Sequence, residues 1–122
     1  MHQMNSNQDM SQEMQQCIQN CHDCQNVCLA TVPHCSQMGG EHASASHIKT
    51  LLACAKICNT SADFMVINSP FHTRVGAVCA EVCDQCAQEC ENMANGDEQM
   101  TACAEACRRC AKSCHEMAKM AA

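Results

Sequence analysis

Three stretches of this chain repeat one cysteine pattern. CIQNCHDCQNVC (residues 17–28), CAEVCDQCAQEC (residues 79–90) and CAEACRRCAKSC (residues 103–114) all read C-x3-C-x2-C-x3-C. They contain Cys17, Cys21, Cys24, Cys28, Cys79, Cys83, Cys86, Cys90, Cys103, Cys107, Cys110 and Cys114, twelve of the fifteen cysteines. A shorter CAKIC adds Cys54 and Cys58, and Cys35 stands apart in PHCSQM. Thiolates and thioethers select soft ions: Cu(I), Zn(II) in sulfur cages, or iron–sulfur clusters. One register kept three times points to a geometric purpose for the thiols.

That purpose appears once the segments are read as helices. At about 100° per residue, offsets of 0, 4, 7 and 11 point to about 0°, 40°, −20° and 20°, so each copy places its four thiols on one narrow face. The same 4-3-4 spacing is the buried seam of a helical bundle. Extended in register, the first seam reads Met10, Met14, Cys17, Cys21, Cys24, Cys28 and the second His47, Leu51, Cys54, Cys58, Ser61, Met65. The third reads His72, Gly76, Cys79, Cys83, Cys86, Cys90, Met93 and the fourth Met100, Cys103, Cys107, Cys110, Cys114, Met117. Thiols and thioethers occupy positions where Leu and Ile normally sit, while the opposite faces are polar. Fourteen of fifteen cysteines fall on these seams.

Breakers divide the chain into the four helices that carry them. The first is expected over about residues 9–32, ended or kinked at Pro33. A loop, PHCSQMGGEHASAS, follows, and the second helix covers about residues 46–67. Ser69 is expected to cap the third, with Pro70 in its first turn, and that helix runs to about residue 94. Asn95-Gly96 stops it, Asp97 caps the fourth, and the fourth ends near residue 119. No strand pattern occurs. The expected fold is all-α, an antiparallel up-down four-helix bundle with a Cys-lined core over residues 9–122, preceded by a flexible tail at residues 1–8.

Composition supports an unusual interior. The 122 residues include 15 Cys and 10 Met, no Trp or Tyr, and only two Phe. Leu, Ile, Val and Phe together number 15, well below the aliphatic content of an ordinary globular core. The net charge of −6 and the lack of a basic stripe argue against a nucleic-acid partner. No apolar run approaches the ~20 residues of a membrane span. The opening MHQMNSNQDMSQEMQQ has neither the cationic nor the apolar region of an export signal, so the expected compartment is the cytoplasm, where thiols remain reduced.

A buried Cys can be plain packing, but Val or Ala would fill the same seams without the risk of oxidation. Disulfides fit poorly. The cysteine count is odd, and i, i+4 side chains on a helix have Cβ atoms about 5–6 Å apart, against about 3.8 Å in a disulfide. A sulfur–metal–sulfur bridge suits the wider gap. Zinc asks for four thiolates in a tetrahedron, whereas a continuous helix offers them in a line, which favours two- and three-coordinate Cu(I). Charge points the same way: thiolates that bridge Cu(I) one to one leave a neutral core, as a low dielectric demands. The expected cargo is therefore Cu(I), with multiple ions per chain.

The CxxxC pairs on all four helices and the His-Cys step of PHCSQM resemble the cysteine-rich four-helix copper storage proteins of bacteria, over nearly the whole chain. The resemblance implies a bundle filled with Cu(I) bound by Cys pairs, assembly as a homotetramer, and an entrance at one end lined by His and Met. It implies that Cys35 is a ligand near that mouth, with His34 and Met38 beside it. In an up-down bundle the mouth also gathers His42, His47, Met93 and Met100. The opposite end carries Phe64, Ile67 and Phe71 and is expected to be plugged. The identities of the proteins that donate and accept copper stay open.

No catalytic constellation is visible, so the chain is expected not to be an enzyme. The competing classes are an iron–sulfur electron carrier, a zinc- or cadmium-sequestering protein of metallothionein type, and a thiol redox buffer. The bacterial ferredoxin pattern C-x2-C-x2-C-x3-C-P lies in a loop; here the first gap is three, no proline follows, and the flanks are helical.

Overall fold

A computed structural model describes residues 10–120, and the expected tail at residues 1–8 lies outside them. Four helices make up the fold: α1 (Gln12–Met38), α2 (Ala45–Val66), α3 (His72–Ala94) and α4 (Glu98–Met120), with a 3-10 turn at Gly40–Ala43 between the first two. No strand occurs among the described residues. The helices pack in a ring, α1 on α2, α2 on α3, α3 on α4 and α4 back on α1. Neighbours are antiparallel: Cys17 meets Cys114 while Cys28 meets Cys103, and Cys54 meets Cys83 while Cys58 meets Cys79.

Local chemistry sets the helix ends. Ser11 opens α1 by accepting from the Met14 amide at 3.0 Å, and Ser44 opens α2 by accepting from the His47 amide at 3.2 Å. Asp97 Oδ1 accepts from the amides of Gln99 and Met100 at the start of α4. Asn95 closes α3 in the left-handed region at φ 42°, a conformation that Asn tolerates better than most residues.

Two expected boundaries differ. Pro33 does not end α1, which continues through it to Met38, so PHCSQM is helical rather than a loop. Proline removes the N–H that would bond to the carbonyl four residues earlier. Pro33 and Leu29 both face solvent, so water can satisfy that carbonyl. The opposite face of the same turns buries Thr31 and Cys35 completely. Their burial, with Gln99 Nε2 donating to Thr31 Oγ1 at 2.9 Å, outweighs the lost bond. Ser69 does not cap α3 either. Its hydroxyl accepts from the Phe71 amide and its carbonyl from the His72 amide, forming a turn ahead of a helix that begins at His72.

The interior has two kinds of layer. Along the middle the buried side chains are cysteines flanked by Ala55, Ala62, Ala80, Ala87, Ala104 and Ala111, residues small enough for the helices to approach closely. Larger buried groups sit toward the ends: His47, Leu51 and Met100 at one, Met65 and Met117 at the other. The expected aromatic plug is therefore corrected. Ile67 is 71% exposed and Phe71 52% exposed, Phe71 lying under the Arg74 guanidinium at 5.0 Å, and Phe64 is half-buried. Met65 and Met117 are buried at that end instead, and the flexible Met side chain fills irregular gaps that a rigid ring cannot.

Candidate metal centre

All fifteen cysteines are free and buried, none more than 1% exposed. Their sulfurs form a column along the bundle axis. From the Met65/Met117 end it runs Cys17–Cys114 at 3.7 Å, Cys21–Cys114 at 3.8 Å and Cys21–Cys110 at 3.7 Å. It continues Cys58–Cys110 at 3.7 Å, Cys58–Cys79 at 3.8 Å, Cys58–Cys83 at 3.5 Å and Cys54–Cys83 at 3.6 Å. Further up come Cys24–Cys54 at 3.8 Å, Cys24–Cys107 at 3.6 Å and Cys28–Cys103 at 3.9 Å. Cys86 joins Cys28, Cys103 and Cys107 in one four-sulfur group. At the far end Cys35 Sγ lies 3.6 Å from Met100 Sδ. Each of these separations far exceeds the roughly 2.05 Å of a disulfide and suits sulfurs that would share a cation.

Five groups of four sulfurs, all within 4.8 Å of one another, account for twelve of the thiols. Cys17, Cys35 and Cys90 stand outside them. The helical repeat produces this arrangement directly: each seam contributes one or two sulfurs per turn, and antiparallel seams interleave them.

Neighbouring thiols shift one another's protonation in both directions. Cys103 is held below the usual thiol range by its neighbours Cys107 and then Cys28, and Cys24 by Cys107 and then Cys110. Cys107 is pushed up, first by Cys103 and then by Cys24. Cys17 is lowered to about 4, first by Cys114 and then by Cys21, against the cost of burial. Cys35 is raised to about 11, chiefly by burial and then by the nearby Cys103 and Asp97. Adjacent buried negative charges cannot all be sustained, so without cations protons stay on the sulfurs. Every cation that enters must displace protons.

The residues expected at the mouth divide into two clusters. His34 Nε2 lies 2.7 Å from Asp97 Oδ2 and His42 Nε2 lies 4.0 Å from the same oxygen. Met38, 53% exposed, shares with His42, Met93 and Asp97 an open depression of about 380 Å³. His47 lies apart from this group. It is 1% exposed, and its Nδ1 is 2.9 Å from Glu89 Oε1. A carboxylate only accepts, so Nδ1 donates to it, and in the neutral imidazole Nε2 keeps a free lone pair. That Nε2 is buried without a hydrogen-bond partner. Glu89 is itself fixed by Thr50 Oγ1 at 3.1 Å and Gln85 Nε2 at 3.2 Å.

Sequence reasoning missed Glu89 and the second role of Asp97. Both partnerships join residues of different helices, and a single sequence carries no signal for such a pairing beyond the position of Glu89 next to the Cys90 seam.

A family model described as "Copper storage protein" matches residues 10–119. The fold is similar to that of the Nmul_A1745 protein of Nitrosospira multiformis, with a TM-score of 0.84 and 41% identity over 91% of this chain and 99% of that one. It is also similar to the Cu(I)-bound copper storage protein BsCsp3 of Bacillus subtilis, at TM-score 0.79 and 33% identity over 88% and 99%. A cytosolic copper storage protein of Streptomyces lividans, solved with five coppers, is similar at TM-score 0.78 and 29% identity over 88% and 92%. With its sulfur column and this match over nearly its entire length, the chain belongs to the copper storage protein family.

Proposed function

We propose that this chain stores Cu(I) as many ions held inside the bundle by Cys thiolates. The ligands in this reading are Cys17, Cys21, Cys24, Cys28, Cys35, Cys54, Cys58, Cys79, Cys83, Cys86, Cys90, Cys103, Cys107, Cys110 and Cys114, with His34, Met38 and His47 serving the entrance. The observation that carries the reading is the unbroken column of free, buried sulfurs. Cu(I) accepts two or three thiolates, and thiolates can bridge. Filling at about one ion per sulfur balances the charge of the core, which burial requires.

Copper enters at the end where Met38, His42 and Met93 line the surface depression. The exposed thioether of Met38 captures the ion without a proton to displace. Cys35 and Met100, already in contact, receive it next. Each later step exchanges one sulfur for another along the column, and the proton of the receiving thiol leaves in the opposite direction. His47 offers its free Nε2 on the other side of the entrance.

Among the described residues no helix is long and apolar enough to cross a membrane. The similarity to a cytosolic copper storage protein supports a cytoplasmic store, and the family likeness supports a homotetramer. The deciding experiment is an anaerobic titration of the reduced apo-protein with Cu(I) against a chelator of known affinity. Uptake well above four ions per chain, tracking the fifteen thiols, is the expected result. Saturation at one or two ions overturns storage.

A further inference from the structure

The five four-sulfur groups form an ordered chain. In sequence along the bundle they are Cys21/Cys79/Cys110/Cys114, Cys58/Cys79/Cys83/Cys110, Cys24/Cys54/Cys58/Cys83, Cys24/Cys28/Cys54/Cys107 and Cys28/Cys86/Cys103/Cys107. Every neighbouring pair shares two cysteines, and groups that are not neighbours share none. Each draws on three of the four helices. The closest sulfur pairs within them lie 3.5 Å (Cys58–Cys83) to 4.0 Å (Cys54–Cys107) apart, and all lie within 4.8 Å. A regular tetrahedron with metal–sulfur bonds of about 2.3 Å has edges of about 3.8 Å. Small side-chain movements would close each group into a tetrathiolate cage.

We propose that the core is also a binding site for divalent soft d10 cations, Zn(II) and Cd(II), and that its geometry limits them to three per chain. Two cages with a common edge would place their ions about 2.7 Å apart, given bonds of about 2.3 Å. At that distance two doubly charged ions repel strongly even with two thiolates between them, which disfavours joint occupancy of neighbouring cages. The first, third and fifth cages share no sulfur and use twelve thiols. The second and fourth together hold only two ions, so full loading selects the alternate set. Cys17, Cys35 and Cys90 belong to no cage and take no part.

This inference goes beyond the storage of Cu(I) and gives a physical basis for discrimination. Each tetrathiolate cage of a divalent ion keeps a net charge of about −2 in a buried space, whereas bridging Cu(I) uses every sulfur and leaves the core neutral. The divalent load is therefore both smaller and costlier.

The test is an anaerobic titration of the reduced apo-protein with Cd(II), followed by thiolate charge-transfer absorbance and by 113Cd NMR, which distinguishes four-sulfur coordination from sites with nitrogen or oxygen ligands. The expected endpoint is three ions per chain, all in four-sulfur sites. Replacing Cys17, Cys35 and Cys90 together by Ala leaves that endpoint at three and lowers Cu(I) capacity; the single variants serve if the triple variant does not fold. Cys86→Ala removes the fifth cage and lowers the endpoint to two. An endpoint other than three, a nitrogen- or oxygen-ligated signal, or a loss of Cd(II) in the Cys17, Cys35 or Cys90 variants overturns the proposal. Uptake of three Cd(II) beside little Cu(I) would sink the storage reading alone, and high Cu(I) capacity without the three cadmium sites would sink this one alone.

Discussion

Under the proposed function, His47 and Cys35 are single residues near the entrance whose surroundings bear on cation binding. The Glu89 carboxylate fixes the protonated nitrogen of His47 and aims the other as a free lone pair, the arrangement that orients metal-binding histidines generally. Glu89→Gln removes the charge and permits either tautomer. The expected outcome is about tenfold weaker Cu(I) retention at the His47 site and faster transfer to a chelator, with total capacity unchanged. Stopped-flow removal kinetics and the endpoint titration measure the two separately, and a fall in capacity with unchanged rates would refute the positioning role. Cys35 sets a pH dependence. Burial raises its thiol from 9.0 to about 11. A raised folded-state value means that the folded chain holds its proton more tightly than the unfolded chain. The associated stability is intact below about pH 9 and fades as pH rises toward 11. Thermal midpoints of the reduced apo-protein should fall across that window, and Cys35→Ala should make the fall shallower. Identical profiles for the two proteins would show that Cys35 contributes nothing to it.

At the scale of the helices, the seams were legible because the 4-3-4 spacing that aligns thiols is also the spacing that buries a helix face. All four helices and the inward direction of every seam cysteine follow from it. The passage of α1 through Pro33 was hidden, because proline penalises a helix locally while the compensation comes from α4, where Gln99 reaches Thr31. The aromatic plug failed for a related reason: hydrophobicity predicts burial, but the shape of the space decided for Met65 and Met117. Asp97 is the element-level feature with the most consequences. One oxygen caps α4 and the other holds His34 of α1, so a single carboxylate ties together two helix ends beside the entrance. The hydrogen bond from His34 holds its carboxyl below the usual range. Asp97→Ala should lower the apo midpoint by about 5 °C through loss of the cap. Asp97→Asn keeps a capping oxygen and should stay near the parent midpoint, while freeing His34 and changing the rate of copper loading. Equal midpoints for both variants would show that the cap contributes little, and unchanged loading in Asp97→Asn would separate His34 from entry.

For the whole molecule, the decisive quantity is how little aliphatic surface the fold buries. Leu51 is the one Leu, Ile, Val or Phe side chain buried to completion among the described residues. Cysteine and alanine bury less apolar area each, and hydrophobic stabilisation scales with that area at about 25 cal/mol per Å². Surface pairs do not make up the difference: Arg108 with Asp84 and Glu91 joins α3 to α4, but its partners are more than a third exposed, and such pairs contribute at most ~1 kcal/mol. Caps and close helix packing should keep the apo-protein helical yet marginal. Copper changes this balance without a change of fold. The close sulfur pairs bridge different helices, α1 to α4 at Cys17–Cys114, α1 to α2 at Cys24–Cys54 and α2 to α3 at Cys58–Cys83. A bound ion would thus link helices that unfolding must separate. A ligand that binds only the folded state adds about 2.7 kcal/mol per site at a hundredfold excess over its dissociation constant, and many sites act together. The expected result is a large upward shift of the thermal midpoint on Cu(I) loading, with nearly unchanged far-ultraviolet circular dichroism at low temperature. Removing the copper with a strong chelator should return the midpoint to the apo value. An unchanged midpoint after loading would place the metal on the surface, and an apo-protein without helical signal would show that the bundle depends on its cargo to fold.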